Sequence, residues 1–247
     1  MFINLLLKYR YKFFKRWLKK SDFLKNKNLA YSTNFKSIAD FKVIDNEFYN
    51  DNDVWFSKDC VNLTDDGLEI CCKKDYAHHT SWNGDKFTNW TSGMIQSYDF
   101  FEFVNGIWVF EAKVCDSWPA IWLLRKEHNE PGYKRGQITP EIDIMEVIKG
   151  KLRTTIHYGY DDIVYKRHEK GSNIIKPDDK FHQFAVELLS NGYNFYFDGI
   201  LVSTFKEKDK EFTSDVPCYV IINNAANDTD KKQNYNLVVK SMEVYYN

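Results

Sequence analysis

From residue 28 onward the chain carries no sustained 3.6-residue hydrophobic period. Short apolar or alternating runs take its place. They predict strands at 67–73, 93–103, 107–114, 120–125, 141–148, 152–160, 182–189, 193–197, 200–205, 219–224 and 237–246. Asp198-Gly199, between two of these runs, predicts a two-residue hairpin turn. Many short strands with little helix predict an all-β sandwich or barrel. The pattern before residue 21 is different. There Ile3, Leu6, Leu7, Phe13, Phe14 and Trp17 share one helical face, and Lys8, Lys12, Lys15, Arg16, Lys19 and Lys20 occupy the other. The polar stretch 20–28 is the only boundary signal. It separates a basic amphipathic segment, 1–27, from a β domain, 28–247.

At 247 residues, one β domain accounts for the whole length and can bury a sizeable core without covalent staples. Aromatic residues make up 17% of the chain, a proportion that suits strands and surfaces that stack flat ligands. The formal net charge of -1 excludes a broadly basic nucleic-acid binder. That charge is unevenly spread. Residues 1–20 hold seven basic residues and no acid, so the remainder is acidic. A basic amphipathic helix predicts contact with an anionic membrane surface, or equally a solvated helix packed on the domain or on a partner. No apolar run approaches the ~20 residues that span a bilayer. The apolar run Phe2 to Leu7, interrupted by Asn4, precedes the basic residues, which is not the order of a secretory signal. The place of action therefore stays open: a membrane surface, release by lysis, or non-standard export. Cys60, Cys71, Cys72, Cys115 and Cys218 have no metal-ligand spacing, and their odd number predicts reduced thiols rather than a disulfide framework.

One segment has an unusual pattern: Pro140-Glu141-Ile142-Asp143-Ile144-Met145-Glu146-Val147-Ile148. Side chains alternate across a strand, so Glu141 and Asp143 share a face while Ile142 and Ile144 oppose it. Glu146 has the wrong parity. A bulge at Ile144-Met145 would return it to the acidic face, and bulges often serve to re-aim a side chain beside an active site. At ~3.3 Å per residue the Cα atoms of Glu141 and Glu146 lie roughly 13 Å apart. Strand curvature and two long side chains can reduce the carboxyl separation to the ~5–5.5 Å of a retaining glycosidase pair. Three clustered carboxyls repel one another, which costs stability unless a metal neutralises them or chemistry requires them. A metal site and a solvated acidic edge are the alternatives. Calcium usually draws oxygens from a flexible loop, whereas this stretch reads as a rigid strand.

The chain resembles glycoside hydrolase family 16, the group containing laminarinases, lichenases, agarases and carrageenases. Glu141, Asp143 and Glu146 match its bulged Glu-x-Asp-x-x-Glu signature. Trp118-Pro119-Ala120-Ile121-Trp122-Leu123-Leu124 is similar to its Trp-Pro-Ala-x-Trp-Leu-Leu strand. Thr91-Ser92-Gly93 followed by Met94-Ile95, and Ile156-His157-Tyr158-Gly159, resemble further blocks. So do Phe181-His182 through Glu187 and Tyr193 through Gly199. All occur in order across 35–247. The resemblance implies a concanavalin-like β-jelly-roll sandwich with a concave cleft. It also implies retaining endo-hydrolysis of internal β-linkages in a glucan or galactan polysaccharide. The resemblance implies no required cofactor, and it is compatible with a structural calcium ion whose position the sequence does not locate. By position, Glu141 is the implied nucleophile, Glu146 the acid/base and Asp143 the assisting residue between them.

The charges suit those roles. Negative Glu141 and Asp143 favour a protonated Glu146, which can then donate to the leaving oxygen. Once the sugar esterifies Glu141, that charge is gone, and Glu146 can accept a proton from water. Trp118 and Trp122 share parity and are candidates for sugar stacking, with core packing as the alternative. Trp90 is a further stacking candidate. His157 matches a family position near the acid/base residue and is an implied partner of Glu146 or of substrate, with a structural histidine as the alternative; Asn223 matches a cleft-face position and is an implied substrate contact. Three positions depart from the family pattern: Met94 replaces a frequent Arg, Ala226-Asn227-Asp228 replaces Gly-Gly, and Ser117 precedes Trp118 in place of a Gly-rich approach. Two other functions use the same sequence features: a non-catalytic carbohydrate-binding jelly roll, and a transglycosylase with the same carboxyls.

Overall fold

The structure, a computed structural model, describes residues 22–48, 53–81, 84–129, 138–148, 150–160, 164–170, 177–206, 217–226 and 232–246. The amphipathic segment 1–20 and its expected membrane contact lie outside them. Among the described residues no helix is long and apolar enough to cross a membrane.

The described residues form eighteen strands. They begin with β1 (Asn28–Thr33), β2 (Lys42–Val43), β3 (Glu47–Phe48), β4 (Val54–Phe56), β5 (Val61–Thr64) and β6 (Gly67–Ser81). β7 (Gly84–Ser92), β8 (Met94–Gln96), β9 (Gly106–Lys113), β10 (Ala120–Arg125), β11 (Ile138–Ile148) and β12 (Lys151–Tyr160) follow. The last six are β13 (Val164–Lys170), β14 (Phe181–Leu189), β15 (Gly192–Phe197), β16 (Ile200–Lys206), β17 (Cys218–Asn223) and β18 (Asn234–Tyr246).

They build two stacked sheets, the β-jelly-roll sandwich implied by the sequence. One runs β16-β15-β14-β9-β18-β6-β7-β4-β3, with β1 on β18 and β5 on β6. The other runs β13-β12-β11-β10-β17-β8-β2. Alternation places Ile121, Leu123, Ile142, Ile156, Val220 and Ile222 of the smaller sheet toward Leu68, Ile70, Trp108, Phe110, Val186 and Phe195 of the larger one, forming the main core. The opposite face of the smaller sheet carries the site.

The β15–β16 hairpin turns at Asp198-Gly199 with φ values of 48° and 75°, the positive pair a tight primed turn requires. The run 93–103 does not form one strand. After β8, Asp99 adopts φ 66° and the amides of Phe100 and Phe101 bond to the Ser97 carbonyl. The chain therefore turns, and Phe103 rejoins the sheet only as a bridge to Cys218. β6 extends well past Lys73, because β7 pairs with its polar second half. The stretch before β1 is held to the sandwich: Phe23 stacks on Tyr196 with centroids 4.3 Å apart, and Lys27 pairs with Glu187.

Candidate active site

The outer face of the smaller sheet is set by the register of β11. Trp122 pairs with Asp143, and Ile121 with Met145, so one extra residue is accommodated on β11 at Ile144-Met145. The same excess appears against β12, where Asp143 faces Thr155 and Glu146 faces Arg153. This is the bulge the parity of Glu146 demanded. Ile144 and Met145 both bury their side chains in the main core, and Glu146 returns to the face of Glu141 and Asp143. Glu141 lies beside His157, Asp143 beside Thr155, and Glu146 beside Arg153.

The three carboxyls differ in surroundings. The Glu141 side chain is 35% exposed and that of Asp143 7%. His157 Nε2 sits 3.1 Å from Asp143 Oδ2 and 3.8 Å from Glu141 Oε1, so the imidazole bridges two of the carboxyls. Glu146 is 8% exposed. Its Oε1 accepts a 2.7 Å hydrogen bond from Trp118 Nε1. Its Oε2 is buried without a protein partner. Trp118 is fixed in turn by reciprocal backbone bonds with Ala225, at 2.8 and 2.9 Å. The Pro119 carbonyl accepts from the Val147 amide next to the acid.

The remaining candidates separate. Trp118 is partly exposed and its indole N–H is committed to Glu146, the cross-strand partner of Ala120 two residues on. Trp122 lies on the cleft face, mostly buried, and donates 2.8 Å to Asn223 Oδ1. Asn223 is on the same face, on β17. Trp90 does not reach the cleft as a stacking surface. It is 1% exposed, on the larger sheet, packed against Tyr235 in an apolar cluster that leaves no open ring face. Met94 pairs with Asn223 and joins that cluster, so apolar packing occupies the position of the expected cation.

Sequence reasoning missed the junction behind Trp118. Ser117 Oγ donates to Asn224 Oδ1 at 2.8 Å, and the Asn224 amide donates to the carbonyls of Ile70 and Tyr235. Asn224 is fully buried and ties both sheets to the approach to β10. Only the adjacent Asn223-Asn224 pair, one side chain per face, signalled it.

Donor atoms of Glu141, Asp143 and His157 lie within 4.8 Å of one another and could hold a cation. An imidazole in the set does not suit calcium, which prefers oxygen alone.

No curated protein matches the chain at a significant level. Solved structures do. The catalytic domain of an endo-1,3-β-glucanase (laminarinase) from Thermotoga petrophila aligns with TM-score 0.70 and 19% identity, over 90% of this chain and 98% of that one. A variant of SCLam, a non-specific endo-β-1,3(4)-glucanase holding 1,3-β-D-cellobiosyl-glucose at its active site, aligns with TM-score 0.73 and 19% identity, over 90% and 96%. A laminarinase from Flavobacterium sp. aligns with TM-score 0.67 and 23% identity, over 89% and 100%. These likenesses establish the sandwich. Residues 48–241 match the sequence family as well, and with the bulged carboxyl row they identify the chain as a member of the glycosyl hydrolases, family 16.

Proposed function

We propose that this protein is a retaining endo-hydrolase of a β-linked glucan. Glu141 attacks the anomeric carbon, Glu146 protonates the leaving oxygen and later deprotonates water, and Asp143 positions Glu141. The observation that carries this reading is the asymmetry of Glu146. One oxygen is anchored by Trp118, and the other is buried with no protein partner. A buried carboxyl oxygen left unpaired is costly in a finished structure. It is useful where an incoming glycosidic oxygen will complete the bond.

Glu141 is the most exposed of the three and so the most open to a sugar ring. Asp143 and His157 flank it, and a donor on His157 limits the swing of either carboxylate. In the first half-reaction Glu141 forms an ester with the sugar while the Glu146 proton moves to the departing hydroxyl. In the second, Glu146 takes a proton from water as that water displaces Glu141. Two inversions give net retention. The glucan class is favoured because the structural neighbours carry glucanase names and one holds a β-glucan fragment.

Glu141→Gln and Glu146→Gln test the assignment on a soluble β-1,3-glucan. Each is expected to lose activity by roughly 10³-fold or more, since a displacement without nucleophile or proton donor loses most of its catalysis. Proton NMR of the first product is expected to show the β-anomer. Full activity in both variants, or an initial α-anomer, would overturn the mechanism.

A further inference from the structure

All five cysteines are free thiols, and two of them meet. Cys60 ends a short 3₁₀ turn, Lys58–Cys60, immediately before β5, and Cys71 lies in β6. Val61 pairs with Ile70, so the antiparallel register carried one step back sets Cys60 opposite Cys71. Val61 and Ile70 turn into the main core, which directs both cysteines to the other face of the sheet. There Cys60 Sγ donates to the Thr91 carbonyl at 3.8 Å, and the Cys71 thiol is its neighbour across the strands. Opposed residues of an antiparallel pair have Cα atoms ~4.5–5.5 Å apart, inside the ~4.4–6.8 Å that a disulfide spans. No other cysteine is placed to compete. Cys72 points into the second apolar cluster, and Cys115 bonds to Ser117 and Asn224.

We propose that Cys60 and Cys71 are a thiol-oxidation site that closes into a reversible cross-strand disulfide. The co-reactant is a small-molecule disulfide. The Cys71 thiolate attacks one of its sulfurs and expels the first small thiolate, leaving a mixed disulfide on Cys71. Cys60 loses its proton to solvent, attacks the Cys71 sulfur and expels the second. Two protein thiols are oxidised to one disulfide, and one small disulfide is reduced to two thiols.

The order follows from the surroundings. Cys71 is partly exposed, whereas Cys60 is fully buried. The neighbouring Cys60 thiol brings the Cys71 thiol down to about 7; burial opposes this and the Lys73 charge assists. Cys60, by the same neighbour relation and through burial, is held up. The accessible thiol is therefore the entering nucleophile and the buried one resolves the mixed disulfide.

The pair borders the strand passage that leads to the cleft. A Cβ at Gly93 would lie 2.7 Å from the Cys60 carbonyl oxygen, and Cys60 Sγ faces the Thr91 carbonyl at 3.8 Å. The Cys71 carbonyl accepts from Ser92 Oγ at 2.8 Å. A crosslink here clamps the turn before β5 to β6 and stiffens the β7–β8 junction. The inference is independent of the hydrolase reading.

The test is titration of the full chain in mixtures of reduced and oxidised glutathione, followed by acid quench, alkylation and non-reducing peptide mapping. The expected product is one intramolecular Cys60–Cys71 linkage, reversed by dithiothreitol. A short loop closed in this way is expected to raise Tm by roughly 5–10 °C. Cys60→Ser and Cys71→Ser should abolish the linkage and the Tm difference; Cys218→Ala should keep both. A different pairing, a mixed disulfide persisting on Cys71, or no crosslink at full oxidation would each overturn the proposal. The mapping on the unaltered chain decides even if a variant fails to fold.

Discussion

Trp118→Phe removes the N–H that faces the proposed acid/base, together with the five-membered part of the indole. A six-membered ring remains, so part of the packing on the cleft cluster is kept, and the smaller ring's loss of contact bears on every substrate alike. What goes is the 2.7 Å donation from Nε1 to Glu146 Oε1. Hydrogen bonds to a carboxyl group of this kind are worth about 1.5–3 kcal/mol. At about 1.4 kcal/mol per tenfold, the expected loss in kcat/KM on glucan is roughly 10- to 100-fold, if the bond is fully expressed in the transition state. The bond orients the acid, so the loss should depend on the leaving group. A glucan needs its glycosidic oxygen protonated; a dinitrophenyl β-glucoside does not, because its phenolate leaves unaided. The assay is therefore a pair of kcat/KM measurements, glucan against activated aryl glycoside, for both proteins. The expected result is a large loss on the first and less than about threefold on the second. Equal losses on both would mean that Trp118 acts by stacking or by holding the fold. No loss on glucan would mean that the bond to Glu146 has no part in proton transfer.

Two further predictions concern the frame. His182 is held between Asp198 and Asp178, each 3.0 Å away, and the bond to Asp198 is the main cause that raises its pKa against burial. A raised folded-state value stabilises the protein below the unfolded value near 6.5, and that contribution is lost as pH rises through the folded value. Tm followed from pH 5.5 to 8.5 should fall more steeply for the native chain than for His182→Asn; parallel curves would refute the linkage. Asn224→Ala removes the acceptor of the Ser117 hydroxyl and two donations to buried carbonyls, leaving Ser117 its contact with Cys115, at a cost of about 2–4 kcal/mol. Urea unfolding should report it as a lower midpoint at unchanged m-value, and a loss under about 0.5 kcal/mol would show that water replaces the amide.

The carboxyl row was legible because two periodicities collided. Glu141 and Asp143 fit a strand, Glu146 did not, and only one extra residue at Ile144-Met145 reconciled them. The hairpin at Asp198-Gly199 was legible for a similar local reason, since few dipeptides accept two positive φ angles. Partnership across sequence was less visible. β7 and the far half of β6 are polar, and they form strands because they pair with each other. Trp90 illustrates the same limit. It precedes a block that borders the cleft, yet it belongs to the larger sheet and turns into apolar packing. Trp118 was placed on the right face and given stacking as its role, because a side chain's parity says nothing about where an indole N–H will point.

The two halves of the cleft face are built for different work, and this bears on specificity. Toward β17 and β8, Trp122, Leu124, Tyr219 and Ile221 pack with Val54, Phe56 and Met94 into a closed cluster. The Trp122 N–H is turned onto Asn223, and the Tyr219 hydroxyl accepts from Asn129. Polar groups that satisfy one another offer little to a sugar, because a hydroxyl must displace an existing bond to gain a new one. Toward β11 and β12 the balance reverses. Glu141 is open, and Glu146 keeps one oxygen without a protein partner. On the proposed mechanism, hydrogen bonding to a sugar would be concentrated beside Glu141 and Glu146, while the β17 side offers shape and apolar surface. Met94 fits this division. Its side chain is buried in the apolar cluster that holds Ile221 and Trp122, where a longer cationic side chain would have to displace that packing.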